Sequence, residues 1–287
     1  MTILWLGQPD CHYVPTVGGK VANLSRLSAE HRVPHGFCLT TEAYRQWGGD
    51  TDALPSAFYD KLATAYGELT DHCNEDQLSV AVRSSAIDED GSVASFAGQY
   101  ETYLNIVGVD AIADAITRCW GSMRSERVVE YRQRYGLSHD DAQIAVLVQH
   151  LVPADVSAVV FSANPVNGNR EEVVINASWG LGESIVGGTV TPDTYIVRKT
   201  DLTVIDCQIA EKLQMTVSVI GGTNEVGVPR FIRSEPALTD EQAVEMAALA
   251  SGLEKNLGWP VDIECAIHNE QLYLLQCRPI TTLNEPE

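Results

Sequence analysis

Hydrophobic and polar residues alternate most cleanly at the end of the chain. From Val261 to Ile280 two period-two runs flank a polar turn at residues 268–271, which predicts an antiparallel hairpin. That period places Asp262, Glu264 and Ala266 on one face and Ile263, Cys265 and Ile267 on the other. In the return run Gln276 and Arg278 share a face, and Cys277 points the opposite way. If the turn aligns Glu264 with Gln276, a carboxylate, an amide oxygen and a guanidinium share one patch. Such a patch suits a hard cation beside a phosphate, and it suits a solvated polar face equally well.

Elsewhere the pattern predicts a mixture of helices and strands. Val21, Leu24 and Leu27 make one helix face behind Gly18-Gly19-Lys20. Residues 33–36 form a turn into a short strand at 37–39, and Thr40-Thr41-Glu42-Ala43 caps a helix carrying Tyr44 and Trp47. A helix is expected near residues 57–69, with strands at 78–83 and 100–106. Between those strands, residues 84–99 are rich in Ser, Asp and Gly, too long for a tight turn and a candidate mobile loop. Helical pattern resumes over residues 111–135, followed by strands at 144–152, 157–162, 172–177, 194–198 and 203–209. Thr239-Asp-Glu-Gln242 is a capping box for a long helix that ends near Leu257, closed by Gly258 and Pro260. Helices and strands do not alternate in βαβ order, so the expected class is α+β with mixed, largely antiparallel sheets.

Composition narrows this only a little. The 287 residues suffice for one large unit or two lobes, with 45% hydrophobic content typical of a globular protein. No apolar run approaches the roughly 20 residues that cross a bilayer. The N-terminus has neither the basic region nor the length of a signal peptide, so a cytoplasmic protein without a membrane partner is expected. A net charge of −20 argues against a nucleic-acid partner, though a few cations can still hold a nucleotide inside a cleft. The seven cysteines include no CxxC pair, and the seven histidines show no metal-ligand spacing. Neither GxSxG nor HExxH occurs, which disfavours a nucleophilic hydrolase or a zinc enzyme.

Four further segments carry candidate chemistry, each with a plainer alternative. Gly18-Gly19-Lys20 can bring a helix N-terminus and an ammonium to an anion, or simply start a helix. It is not a Walker A motif, because Val14 stands where that motif has Gly and Val21 where it has Ser or Thr. Arg83-Ser84-Ser85-Ala86 ends a strand, where an Arg can clamp a phosphate bidentately or lie in solvent. Ser95-Phe96-Ala97-Gly98-Gln99 has the small residues that let backbone approach a polyphosphate. Gln149-His150-Leu151-Val152 is either a strand edge or a segment able to read an adenine edge. Trp179-Gly180-Leu181-Gly182-Glu183, with Gly187-Gly188 and Thr191-Pro192-Asp193, is a glycine-rich turn open to a structural or a ligand-contacting role.

Taken in order, these segments resemble the N-terminal ATP-binding domain of the phosphoenolpyruvate synthase and pyruvate phosphate dikinase family, and also that of rifampicin phosphotransferase. The matching pieces run from Val17-Gly-Gly-Lys20, Val33-Pro34-His35-Gly36-Phe37 and Val82-Arg83-Ser84-Ser85-Ala86, through Ser95-Phe96-Ala97-Gly98-Gln99 and Gly180-Leu181-Gly182-Glu183. They end with Asp262-Ile263-Glu264 and Gln276-Cys277-Arg278-Pro279-Ile280-Thr281. The resemblance implies a two-lobed ATP-grasp fold binding ATP and Mg2+, one nucleotide-binding unit over residues 1–287 with a subdomain boundary near 110–140. It implies that Lys20 and Arg83 hold phosphates, that Glu264 and Gln276 coordinate magnesium, and that Arg278 neutralises charge on the transferred group. Gln149, His150 and Val152 would face adenine, and the loop from Ser95 to Gly98 would cover the phosphates.

Two departures stand out. Ser157-Ala158-Val159 replaces the usual Ser-Gly-Val, and the swivelling domain's Thr-Ser-His motif is absent, as is a pyruvate-binding domain. The resemblance therefore leads us to expect the ATP-binding subunit of a split phosphotransferase. It would cleave Mg-ATP to AMP and phosphate and pass the β-phosphoryl group to a histidine on a separate protein. A stand-alone kinase or ligase acting on a small-molecule acceptor is the enzymatic alternative, and a nucleotide-sensing module the non-enzymatic one.

Overall fold

The computed structural model describes every residue except 1, 48–53, 88–89, 92–93, 96–100, 135, 137, 139–141, 282 and 284–287. The chain divides into two compact units, Met1–Leu151 with Ile220–Gly222, and Val152–Val219 with Thr223–Glu287. The division falls after Leu151, downstream of the 110–140 region, because the strand that ends at His150 belongs to the middle of the first unit's sheet.

In chain order the first unit contains β1 (Ile3–Trp5), α1 (Val14–Leu27), β2 (Gly36–Leu39), α2 (Thr41–Trp47), α3 (Ser56–Cys73) and β3 (Ser79–Ala86). There follow the two-residue strands β4 (Asp90–Gly91) and β5 (Ala94–Ser95), then β6 (Thr102–Val107), α4 (Val109–Ser122), α5 (Glu126–Arg134) and β7 (Ile144–His150). Five of the strands form an antiparallel sheet in the order β1-β2-β7-β3-β6. Strand alternation sorts its two faces. Val80, Val82, Ile144, Val146 and Val148 join a core with Phe58, Leu62 and Leu69 of α3 and Ile112, Ile116 and Trp120 of α4. The intervening residues, Arg83 and Ser85 on β3 and Ala145, Leu147 and Gln149 on β7, face the other way, where α1 packs across β3 and β7. The single helix expected over 111–135 is two, because the chain turns through residues 123–125 between α4 and α5.

The second unit contains β8 (Val156–Phe161), β9 (Glu172–Trp179), α6 (Glu183–Val186), β10 (Asp193–Arg198), β11 (Thr203–Gln208), β12 (Gln214–Val219) and β13 (Gly222–Gly227). It ends with α7 (Asp240–Leu257), β14 (Val261–His268) and β15 (Gln271–Pro279). Six strands form an antiparallel sheet in the order β11-β10-β9-β8-β14-β15. α7 starts at the expected capping box, with Thr239 and Gln242 each bonded to the other's backbone, and stops at Gly258 in the left-handed region (φ 81°). Its buried residues Ala243, Met246, Ala247, Ala250 and Leu253 recur at helical spacing, and the small ones let the helix lie close to the sheet. Under it runs a row of buried cross-strand partners, Ile263, Val160, Ile175 and Tyr195. β12 and β13 were not expected from the sequence; Met215, Val217 and Val219 give β12 a period-two signal that could have found it, whereas β13 has no apolar face. The class is α+β, as expected, and no helix among the described residues is long and apolar enough to cross a membrane.

Candidate nucleotide site

The first unit places two buried cations at β3; Arg83 does not end the strand, as the pattern suggested, because pairing with β7 carries β3 on to Ala86. α1 does not begin at the glycines, as the pattern suggested, but at Val14, where Pro15 suits the first turn. The glycines mark a break inside it instead: Gly18 has φ 76° and ψ 163°, so a second helical segment restarts immediately before Lys20. The break requires glycine, because φ is positive there and a Cβ on Gly18 would lie 2.3 Å from Ser85 Oγ and 2.4 Å from the Ser85 carbonyl oxygen. At this restart the Val21 N–H donates to Ser85 Oγ (3.3 Å) and Lys20 Nζ donates to the Ser84 carbonyl (3.2 Å). Lys20 and Arg83 are both buried. A buried ammonium and guanidinium beside a helix start make a place suited to anionic oxygens.

The second unit places the hairpin residues as their alternation requires. Asn269 and Glu270 both have positive φ, 49° and 61°, which gives the two-residue turn that pairs His268 with Gln271. That turn alone would set Glu264 opposite Leu275; a one-residue shift in the pairing between Glu264 and Cys265 sets Glu264 opposite Gln276 and Asp262 opposite Arg278 instead. The shift is a β-bulge with Leu275 of β15 as the extra residue, while β14 keeps its alternation against β8 without a break from Asp262 to Ile267. On the sheet face turned away from α7 the same register runs from Gln276 through Glu264, Val159 and Asn176 to Thr194, whose Oγ1 donates to Asn176 Oδ1 (3.0 Å). Glu264 is half-buried, and Gln276 is buried.

Arg278 has a partner that the sequence analysis placed on the same face without assigning it a role. Its Nη2 and Nε lie 2.7 and 2.8 Å from the same Asp262 oxygen. Burial raises the Asp262 pKa above the ordinary carboxylate range, Arg278 draws it back down, and the nearby Glu264 adds to the rise. The pair holds the guanidinium in one orientation while its remaining N–H groups stay directed elsewhere.

The remaining candidates are distributed less simply. Gln149 is buried and its Nε2 donates to the Pro34 carbonyl (3.1 Å), so its side chain ties β7 to the turn before β2. His150 Nε2 lies 3.4 Å from Glu75 Oε1, and Val152 is buried at the start of the second unit. The backbone of Ser95 pairs with Asp90, while the side chain of Ser95 and all of Gly98 lie outside the described residues. The glycine-rich turn is anchored within its own unit. Ser157 Oγ donates to the Gly180 carbonyl (2.8 Å), the Leu181 N–H donates to the Thr216 carbonyl (2.9 Å), and a Cβ on Gly180 would sit 2.4 Å from that carbonyl. Asp193, from the Thr-Pro-Asp run, is fully buried against Lys212.

Residues 50–287 match the family model described as the pyruvate phosphate dikinase AMP/ATP-binding domain. A protein named probable phosphoenolpyruvate synthase from Methanocaldococcus jannaschii is 37% identical over 99% of this chain and 27% of its own length. A rifampicin phosphotransferase from Streptomyces sviceus is 38% identical over 98% of this chain and 36% of its own. An uncharacterized phosphotransferase of Bacillus subtilis is 38% identical over 93% of this chain and 34% of its own. The chain thus spans well under half the length of these relatives.

Proposed function

This chain belongs to the pyruvate phosphate dikinase AMP/ATP-binding domain family, and from that premise we propose that it is the ATP-binding part of a phosphotransferase with an ATP-grasp fold. ATP would be cleaved at both phosphoanhydride bonds, the β-phosphoryl group passing to a histidine outside these 287 residues and the γ-phosphoryl group to water, which leaves AMP and inorganic phosphate. The observation that carries this reading is the pair of buried cations, Lys20 and Arg83, set at a helix restart by a glycine that cannot be anything larger. Two relatives whose names specify a phosphoenolpyruvate synthase and a rifampicin phosphotransferase support phosphoryl transfer as the reaction class.

In this reading Lys20 and Arg83 bind the phosphates, and Arg278, oriented by Asp262, faces the charge that grows on the group in transfer. Glu264 and Gln276 offer adjacent oxygens, the donor type that Mg2+ requires. Among the described residues no group of three or more His, Cys, Asp or Glu side chains could hold a metal ion. That suits Mg2+, which is usually held by one or two carboxylates together with the phosphates of its substrate. When bound, the ion would neutralise phosphate charge. Segment 149–152 and the Ser95–Gly98 loop are proposed as the adenine and phosphate covers, with Gln149 acting through the Pro34 tie.

Calorimetric titration tests the binding side of this proposal. The wild-type chain is expected to bind one ATP with an affinity that rises on adding Mg2+. In Glu264→Gln the affinities with and without Mg2+ should converge, because an amide replaces the one carboxylate proposed as a ligand. An unchanged Mg2+ dependence in that variant would remove Glu264 from the metal site.

A further inference from the structure

We propose that Ser85 is a positioning residue that aims Lys20 at the phosphates, an inference that rests on the phosphate-binding reading above and assigns the device that sets it. A helix restart leaves N–H groups with no partner inside the helix. Ordinarily the residue just before the restart caps them with its own side chain. Gly18 and Gly19 have no side chain to do so. The cap comes instead from a different strand, with Ser85 Oγ accepting the Val21 N–H at 3.3 Å.

Ser85 can reach that N–H because Gly18 leaves its space open, as the 2.3 Å Cβ approach shows. The glycine and the serine therefore form one contact, and neither can be changed without affecting the other. Ser85 itself is held firmly. It is fully buried, it pairs with Ala145 on β7, and its neighbour Ser84 is tied through both N and Oγ to the Glu101 carbonyl (3.3 and 3.0 Å). Thr41 Oγ1 separately fixes the earlier segment of α1 by donating to the Pro15 carbonyl (3.0 Å). Ser85 thus fixes the first turn of the segment beyond the break, whose far end is tied separately by Ser25 Oγ accepting the Gly7 N–H (2.9 Å). Lys20 precedes Val21 directly, so the bond that fixes Val21 sets the direction in which the Lys20 stem leaves the helix, toward the Ser84 carbonyl.

A purely structural serine would affect all ligands alike, whereas one that aims Lys20 affects only ligands bearing the outer phosphates. The test measures ATP and AMP affinities for the wild type, Ser85→Ala, Gly18→Ala and Lys20→Ala, with a thermal melt of each. Ser85→Ala is expected to weaken ATP by about five- to tenfold while AMP affinity changes little, with a modest fall in melting temperature from the lost cap in both liganded and free protein. Gly18→Ala, which forces the same contact apart, should show the same ATP-selective loss to a greater degree. If Lys20→Ala weakens ATP but Ser85→Ala leaves it unchanged, or weakens ATP and AMP equally, the positioning role is overturned while phosphate binding by Lys20 stands. If Lys20→Ala binds ATP as the wild type does, both fall together.

Discussion

Lys20→Ala and Arg83→Ala are each expected to lower ATP turnover by at least about 10²- to 10³-fold, the loss typical of one preorganised charge-stabilising group. The effect should be large because both cations are buried, where a charge acts on phosphate oxygens with little screening by water. The fold should survive both changes. Lys20 donates to the Ser84 carbonyl, and the sheet that carries Arg83 is held by backbone ladders to β6 and β7 that do not need either side chain. Steady-state rates with the melting temperature measured on the same samples decide the matter. Wild-type rates in either variant would show that its cation does not act on the phosphates.

The largest stability effect belongs to the second unit and lies away from the proposed chemistry. Asp193 and Lys212 form an ion pair at 2.5 Å with both side chains fully buried. The Asp193 oxygens also accept the N–H groups of Ala210 and Ala237 (2.8 Å each), and Lys212 Nζ donates to the Ala210 carbonyl (3.0 Å). This knot ties the start of β10 to the segment before β12 and to the one leading into α7. Lys212→Met strands a buried carboxylate and is expected to cost about 3–5 kcal/mol in urea unfolding. Adding Asp193→Asn to it should restore part of that loss, since the stranded charge is then gone and a polar partner for the N–H groups remains. Additive losses in the double variant, or a single-variant cost below about 1 kcal/mol, would show that the pair is not a coupled unit.

Legibility in the sequence followed the range of the interactions involved. The terminal hairpin was readable as two strands and a polar turn, because period-two alternation is a local property of residues 261–279. The capping box of α7 was readable for the same reason. The alignment of Glu264 with Gln276, left as a condition in the sequence, depends instead on the bulge at Leu275, which no local pattern indicated. α1 was misplaced by four residues, since Gly18-Gly19 resembles a helix start in the sequence and only Ser85, 67 positions later, makes it a break. Arg83 and Lys20 were identified singly from their motifs, but the bonds at the helix restart, from Lys20 to the Ser84 carbonyl and from the Val21 N–H to Ser85, appear only once β3 packs on α1. The inward turn of Gln149 depends on Pro34, 115 positions earlier, and no local pattern indicates it. Asp193 was noticed as part of a turn, while its buried partner Lys212 sits in a polar stretch without periodicity. Asp262 lay on the predicted polar face throughout, and pairing across the hairpin showed that it holds Arg278.

The most direct test of the account is the identity of the nucleotide product. The purified chain is incubated with Mg-ATP and a histidine-bearing acceptor protein, and the nucleotides are resolved. Transfer of the β-phosphoryl group predicts AMP and inorganic phosphate in equal amounts, with the acceptor phosphorylated on histidine. ADP as the sole nucleotide product would contradict it.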